Sequence, residues 1–243
     1  MRLRVRACRA NLVLPVEVAV PESASFRPNP RFAKSYLRVA AKAEARGVAE
    51  HRRELLADLA GVVCEVGAGS GLNFAHYPAT VTRVVAIEPE PTLREHAAVV
   101  ARAAPVPIEV REGTADTLPV EDGSCDAVVL SLVMCTVPDP AAALAEARRV
   151  LRPGGELRFY EHVRSAHRVV AAAEDLVAPI WARFAGGCHP NRDAVGALTS
   201  AGFDVSVVRR FGFSPQRTIP PTAHVLGRAR HRPADPLLDE PAD

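Results

Sequence analysis

Val62-Val63-Cys64-Glu65-Val66-Gly67-Ala68-Gly69-Ser70-Gly71-Leu72-Asn73-Phe74 decides the reading of this chain. An apolar run of strand character carries an acid near its end, turns through G-x-G-x-G, and passes into residues that can open a helix. Glycines let the backbone turn tightly and approach a ligand with no Cβ in the way, and a helix start offers free N–H groups. Roughly seventeen residues past Gly71, a second apolar run, Val84-Val85-Ala86-Ile87, ends on Glu88. That is close to the spacing at which a doubly wound unit places a ribose-binding acid. A lone glycine-rich turn can bind nothing at all. With Glu65, the preceding strand and Glu88 in place, the pattern points to a nucleoside-containing cofactor.

Small departures select the cofactor. A dinucleotide fold wants G-x-G-x-x-G, whose third glycine packs helix on strand near the pyrophosphate. Here that place is taken by Leu72, and the glycine falls one residue early, at Gly71. Glu65 is also a poor neighbour for a pyrophosphate, because like charges repel in a partly dry cleft. It suits a cofactor with a cationic end, such as the ammonium and sulfonium of S-adenosylmethionine.

The 243 residues, 48% of them hydrophobic, suffice for one enzyme domain with a substantial core. Lys+Arg number 30 against Asp+Glu 28, so no electrostatic case for nucleic-acid binding exists. The five cysteines (Cys8, Cys64, Cys125, Cys135, Cys188) form no close C-x-x-C pair, which predicts free thiols in a reducing, cytoplasmic setting. No run reaches the roughly eighteen apolar residues of a membrane span, and the longest, Ala127 to Val137, reads as a buried strand. Residues 1–27, broken by Pro15, Glu17 and Pro21, read as an irregular extension, and 230–243, rich in Pro, Asp and Arg, as a flexible tail.

Between these ends, over 28–229, helical and strand signals alternate. Periodicity predicts helices over 32–59, from 70, and over 91–103, 140–150, 166–184 and 192–200. It predicts strands over 61–66, 83–88, 108–111, 126–131, 156–160, 203–208 and 223–226. Arg152-Pro153-Gly154-Gly155 reads as a helix stop and tight turn. Near-continuous apolar strands between helices argue for an α/β fold, a Rossmann-like, open, mostly parallel sheet covered on both faces. Its ligand crevice belongs at the carboxyl ends of the first strands.

The succession E-V-G-A-G-S-G-L-N-F, I-E-P-E-P at 87–91, D-A-V-V-L-S-L-V at 126–133 and R-R-V-L-R-P-G-G at 148–155 resembles the class I S-adenosylmethionine-dependent methyltransferases. Segments 72–78, 132–137, 160–163 and 187–193 are similar to a narrower group that includes membrane-associated thiol S-methyltransferases of animals. Those relatives carry an apolar N-terminal anchor; none is expected here. The resemblance implies that Glu65 receives the methionine ammonium, directly or through water, and that the backbone of Gly67, Ala68, Gly69 and Gly71 packs on the methionine part and the sugar. It further implies that Glu88 holds the ribose hydroxyls, Pro89 lies on the adenine, and Ser131 and Leu132 face the sulfonium. The family's adenine-edge acid is replaced by Thr114, so backbone at Thr114 and Ala115 is the expected contact.

Methyl transfer from a sulfonium needs mainly an acceptor held in line in a water-poor pocket. His162 and His189 are the candidate bases, each weighed against a purely structural hydrogen bond; Cys135 and Cys188 read as packing thiols. No metal is expected, because only the adjacent Cys188 and His189 lie close in sequence and neighbours cannot easily chelate one ion. Residues 160–192, with Val163, Ile180, Trp181 and Phe184, are expected to cap the donor and select a small, largely apolar acceptor. Three readings of function stay open: a methyltransferase acting on a thiol, a C- or O-methyltransferase acting on a quinone, lipid-like or secondary-metabolite acceptor, and a non-catalytic protein that binds the cofactor.

Overall fold

The computed structural model describes residues 26–214 and 220–231. Most of the expected extension, with Cys8, and all but two residues of the expected tail lie outside the described residues. Seven strands form one sheet in the order β3-β2-β1-β4-β5-β7-β6. They are β1 (Gly61–Val66), β2 (Val81–Ile87), β3 (Ile108–Arg111), β4 (Cys125–Ser131), β5 (Leu151–His162), β6 (Phe203–Phe213) and β7 (Thr222–His231). The first five run parallel, and β7 pairs antiparallel with both β5 and β6. The chain reverses direction across the sheet between β1 and β4, which opens a crevice at their carboxyl ends.

The strands are apolar on both faces because both are covered. Cys64, Val66, Val128 and Leu130 face a core shared with Leu144, Ala147 and Leu198. Their neighbours Val63, Ala127 and Val129 face the opposite core with Leu55, Leu56 and Phe74. Alternation with period two thus feeds two cores from one strand. The covering helices are α1 (Pro30–Ala43), α2 (Ala49–Leu56), α3 (Pro91–Ala101), α4 (Pro140–Val150), α5 (Arg168–Phe184) and α6 (Ala194–Ser200). Asn29, Asp139 and Asp193 cap α1, α4 and α6 with side-chain oxygens.

Several expected boundaries move. The single helix expected over 32–59 is two helices joined by a π-helical turn, Glu44–Val48, where Gly47 takes φ 119°. The helix expected from residue 70 shrinks to a 3-10 turn, Phe74–His76. Pro78 forces Tyr77 into extended geometry, and Asn73 and Tyr77 turn inward. Residues 152–155, expected as a plain turn, are a bulge inside β5: Cys125 pairs with Leu151, and Ala127 already with Glu156. The apolar run 127–137 is strand only as far as Ser131, the end expected for the fourth strand. The last two strands run well past their apolar centres because each serves as the other's pairing partner, Phe203 opposite His231 through Phe213 opposite Thr222. Arg230 and His231, assigned to the tail by composition, are therefore strand residues.

Candidate functional site

Glu65, next to last in β1, lies at 2% exposure just before the glycine turn. Asn73 Nδ2 donates to its Oε1 at 2.8 Å and the Tyr77 hydroxyl to its Oε2 at 2.7 Å. Burial nevertheless pushes its carboxyl up to about 7, against the lowering effect of these two donors and of the Arg52 charge. Arg52, itself buried, reaches from α2 to Glu44, to Asn73 Oδ1 at 2.8 Å and to Ser131 Oγ at 3.3 Å. It ties the N-terminal helices to the turn and to the end of β4. The sequence reading assigns no role to Arg52 or Tyr77. Nothing along the chain relates them to Glu65.

The turn is left-handed at Gly67, Gly69 and Gly71, with φ of 65°, 58° and 81°. A Cβ on Gly67 would lie 2.8 Å from Val133, and one on Gly69 3.1 Å from the Tyr36 hydroxyl. Tyr36 therefore brings α1 over the turn, a contact that no spacing rule announces. Ala68 N–H donates to Ile87 O at 3.0 Å, joining the turn to β2. Glu88 does the same by its side chain. Its Oε2 accepts from Gly69 N–H at 2.7 Å and its Oε1 from Glu90 N–H at 2.9 Å. Burial raises its carboxyl, and these backbone donors lower it.

Beside Glu88, the Pro89 carbonyl accepts from Arg94 at 3.0 Å. Thr114 Oγ1 and Glu90 Oε1 are buried without a hydrogen-bond partner. An orphaned buried hydroxyl is costly unless something meets it. A ligand nitrogen would meet it, and in this the residues present fit S-adenosylmethionine. Ala115 packs partly buried against the core next to it.

The ends of β4 and β5 are welded by a feature that the sequence hid. Leu132 takes φ 61°, rare for a residue with a Cβ, and its N–H donates to Tyr160 O at 2.6 Å. The next three N–H groups converge on one carboxylate, a nest of the anion-binding kind. Val133 and Met134 donate to Glu161 Oε1 at 2.9 and 3.0 Å, and Cys135 to Oε2 at 3.1 Å. Glu161 is fully buried. Its three donors lie 26 to 28 residues back along the chain, where no spacing rule relates them to it.

Beyond this nest the sequence candidates separate. His162 Nδ1 lies between Cys135 Sγ at 3.4 Å and Cys188 Sγ at 3.5 Å. His189 stands apart, its Nδ1 2.7 Å from Gly187 O. Arg192 donates to Met134 O and Val137 O, both at 2.6 Å, so it braces the turn after β4. The expected cap fits only in part. Val163 is buried, but Ile180 and Phe184 are 64% and 75% exposed, and α5 turns its alanines Ala171 and Ala178 inward. Helical phase, invisible to a composition argument, put that bulk outside.

Residues 64–159 match the methyltransferase domain family. The human thiol S-methyltransferase TMT1B is 32% identical over 197 residues, which cover 76% of this chain and 80% of that protein. The chain belongs to the class I S-adenosylmethionine-dependent methyltransferases. Human TMT1A is 35% identical over 143 residues, 57% of the chain and 58% of its own length. A methyltransferase structure from Thermotoga maritima superposes with a TM-score of 0.64 at 22% identity, covering 83% of this methyltransferase and 97% of that chain. The mostly parallel open sheet read from sequence is the fold these structures share. Among the described residues, no helix is long and apolar enough to cross a membrane.

Proposed function

We propose that this methyltransferase moves the methyl group of S-adenosylmethionine to the sulfur of a small, largely apolar thiol. The observation that carries the acceptor class is the similarity to thiol S-methyltransferases over 76% of the chain. The geometry is compatible: buried Val133, Met134 and Val163 and the half-buried imidazole of His162 stand just past or at the carboxyl ends of β4 and β5. In this reading the donor lies across the glycine turn. Glu65 meets its ammonium, Glu88 its ribose, Thr114 its adenine edge, and Ser131 and Leu132 flank the sulfonium. The protein's contribution is alignment and exclusion of water.

Labelled S-adenosylmethionine offered with alkyl thiol, phenol and quinone acceptors in parallel tests the reading. Methylation of the thiol, with a rate that rises with pH as thiolate forms, is the expected result. Methylated phenol or quinone with no thioether product would overturn the acceptor class and leave the methyltransferase in place.

The placement of the ammonium has its own signature. Glu65 is held near 7, so below that pH it is mostly neutral and a cationic ligand must expel its proton on binding. Affinity for S-adenosylhomocysteine should therefore rise with pH, by up to about tenfold per unit, and level off above about pH 7. Calorimetry across this window measures it, and Glu65→Gln should flatten the profile. A flat profile in the unaltered protein would take Glu65 away from the ammonium.

A further inference from the structure

Cys135, His162 and Cys188 come from three separate segments: the turn after β4, the end of β5 and the loop after α5. Their ligand atoms all lie within 4.8 Å of one another. Packing thiols have no need of such convergence on one ring nitrogen. A tetrahedral zinc ion has Zn–S near 2.3 Å and Zn–N near 2.0–2.1 Å, which sets N···S at roughly 3.6 Å. The imidazole Nδ1 stands 3.4 and 3.5 Å from the two sulfurs, close to that value for both. Two sulfurs and an imidazole are the donor set that favours zinc over magnesium, calcium or manganese.

The frame holds the ligands independently of any contact between them. Cys135 is fixed on both sides of its backbone, by Glu161 at its N–H and by His189 N–H at its carbonyl, 3.1 and 2.6 Å. Cys188 N–H donates to Ala185 O at 3.2 Å. Gly187, at φ 90°, lets its loop close on the turn after β4, where a Cβ would lie 3.2 Å from Thr136 O. Arg192 draws the same two segments together through Met134 O and Val137 O. Such outer restraints are what keep metal ligands in place.

We propose that Cys135, His162 and Cys188 hold one zinc ion whose fourth position takes the acceptor sulfur as a thiolate. Three protein ligands with one open position mark a catalytic zinc site, whereas structural sites are closed by four. Position agrees with that use. Val133 packs on Gly67 of the cofactor turn, and Cys135 is two residues further, at most about 7 Å along the backbone. The inference rests on the thiol reading for the identity of the fourth ligand, and on this structure alone for the other three. Coordination sends the thiol proton to solvent. A sulfur lone pair then forms the new S–CH3 bond as the donor's sulfonium C–S bond breaks. The breaking pair stays on the departing S-adenosylhomocysteine, and the thioether product, no longer anionic, leaves the metal.

The test is a titration of the full chain with Co(II), after reduction by a phosphine and removal of metal by a chelator. One equivalent should bind with the visible bands of tetrahedral cobalt and thiolate-to-cobalt charge transfer, and Zn(II) should displace it. Cys135→Ser and Cys188→Ser should each weaken binding by at least about tenfold. Cys64→Ser combined with Cys125→Ser should leave the bands intact, and circular dichroism confirms that each variant is folded. Adding an alkyl thiol should intensify the charge-transfer band, since a third sulfur joins. Absence of tetrahedral cobalt, or a Cys135–Cys188 disulfide in its place, would overturn the site. Full thiol methylation by metal-free protein would overturn the fourth-ligand role, although the thiol reading would then stand. Cobalt bands unmoved by any thiol would overturn the fourth-ligand role. If no thiol is methylated while a tetrahedral site forms, the acceptor class fails and the three-ligand site survives.

Discussion

Glu161→Ala is expected to cost about 3–5 kcal/mol of folding stability. The carboxylate accepts from Val133, Met134 and Cys135 N–H at 2.9–3.1 Å in a fully buried position. Each buried donor left without a partner costs about 1–3 kcal/mol, so three would cost more than a typical single mutation. Relief of the carboxylate's own burial offsets part of this, since burial pushes its carboxyl upward despite the three donors. Leu132 adds to the loss, because its left-handed backbone is maintained by the clamp that follows it. Glu161→Gln separates these effects. Its carbonyl can still accept from two of the N–H groups, but its amide would face the third donor to donor, and an intermediate loss of about 1–3 kcal/mol follows. Denaturant unfolding of the three proteins measures the series. An alanine variant within about 1 kcal/mol of the parent would show that water or a shifted loop satisfies the nest without Glu161.

Glu88→Ala is expected to weaken binding of S-adenosylhomocysteine by about 1–3 kcal/mol, roughly five- to 150-fold, by loss of charge-assisted hydrogen bonds to the ribose. Glu88 has a second task, since Gly69 N–H at 2.7 Å and Glu90 N–H at 2.9 Å both donate to it. Its loss therefore loosens the glycine turn as well as removing the proposed ribose contact. Glu88→Gln helps to separate the two: one amide oxygen can keep the Gly69 contact while the paired acceptor for the two hydroxyls is lost. Calorimetry with S-adenosylhomocysteine and with adenosine should give similar losses for both ligands, because the ribose is common to them. Unchanged affinity in both variants would remove Glu88 from the site. A loss confined to S-adenosylhomocysteine would assign it to the methionine end.

The parallel part of the sheet was legible because its strands are short, apolar on both faces and punctuated by glycine, proline and acids. Strands β1 to β4 fall within about two residues of their expected bounds. The far edge was harder. β6 and β7 carry Arg209, Arg210, Arg228 and Arg230 in their outer halves, and only their pairing makes strands of them. The same contrast holds in the site. Glu65, Gly67, Gly69 and Glu88 could be singled out along the chain because one strand, one turn and the next strand keep them at fixed sequence spacing. Tyr36, Arg52 and Glu161 were missed as contributors because their partners lie far off in the chain: Tyr36 over Gly69, Arg52 on Asn73 and Ser131, Glu161 on the turn after β4.

Sequence by itself determined the fold class and the acid-glycine-acid framework, since both are written in local backbone geometry and period. Tertiary structure alone decided which side chains meet at the carboxyl edge. It put Ile180 and Phe184 in solvent through helical phase, separated His189 from the other candidates, and gathered Cys135, His162 and Cys188 within 4.8 Å. A ligand-spacing rule looks along the chain, and these three residues are brought together by strand order and by a loop that closes across it.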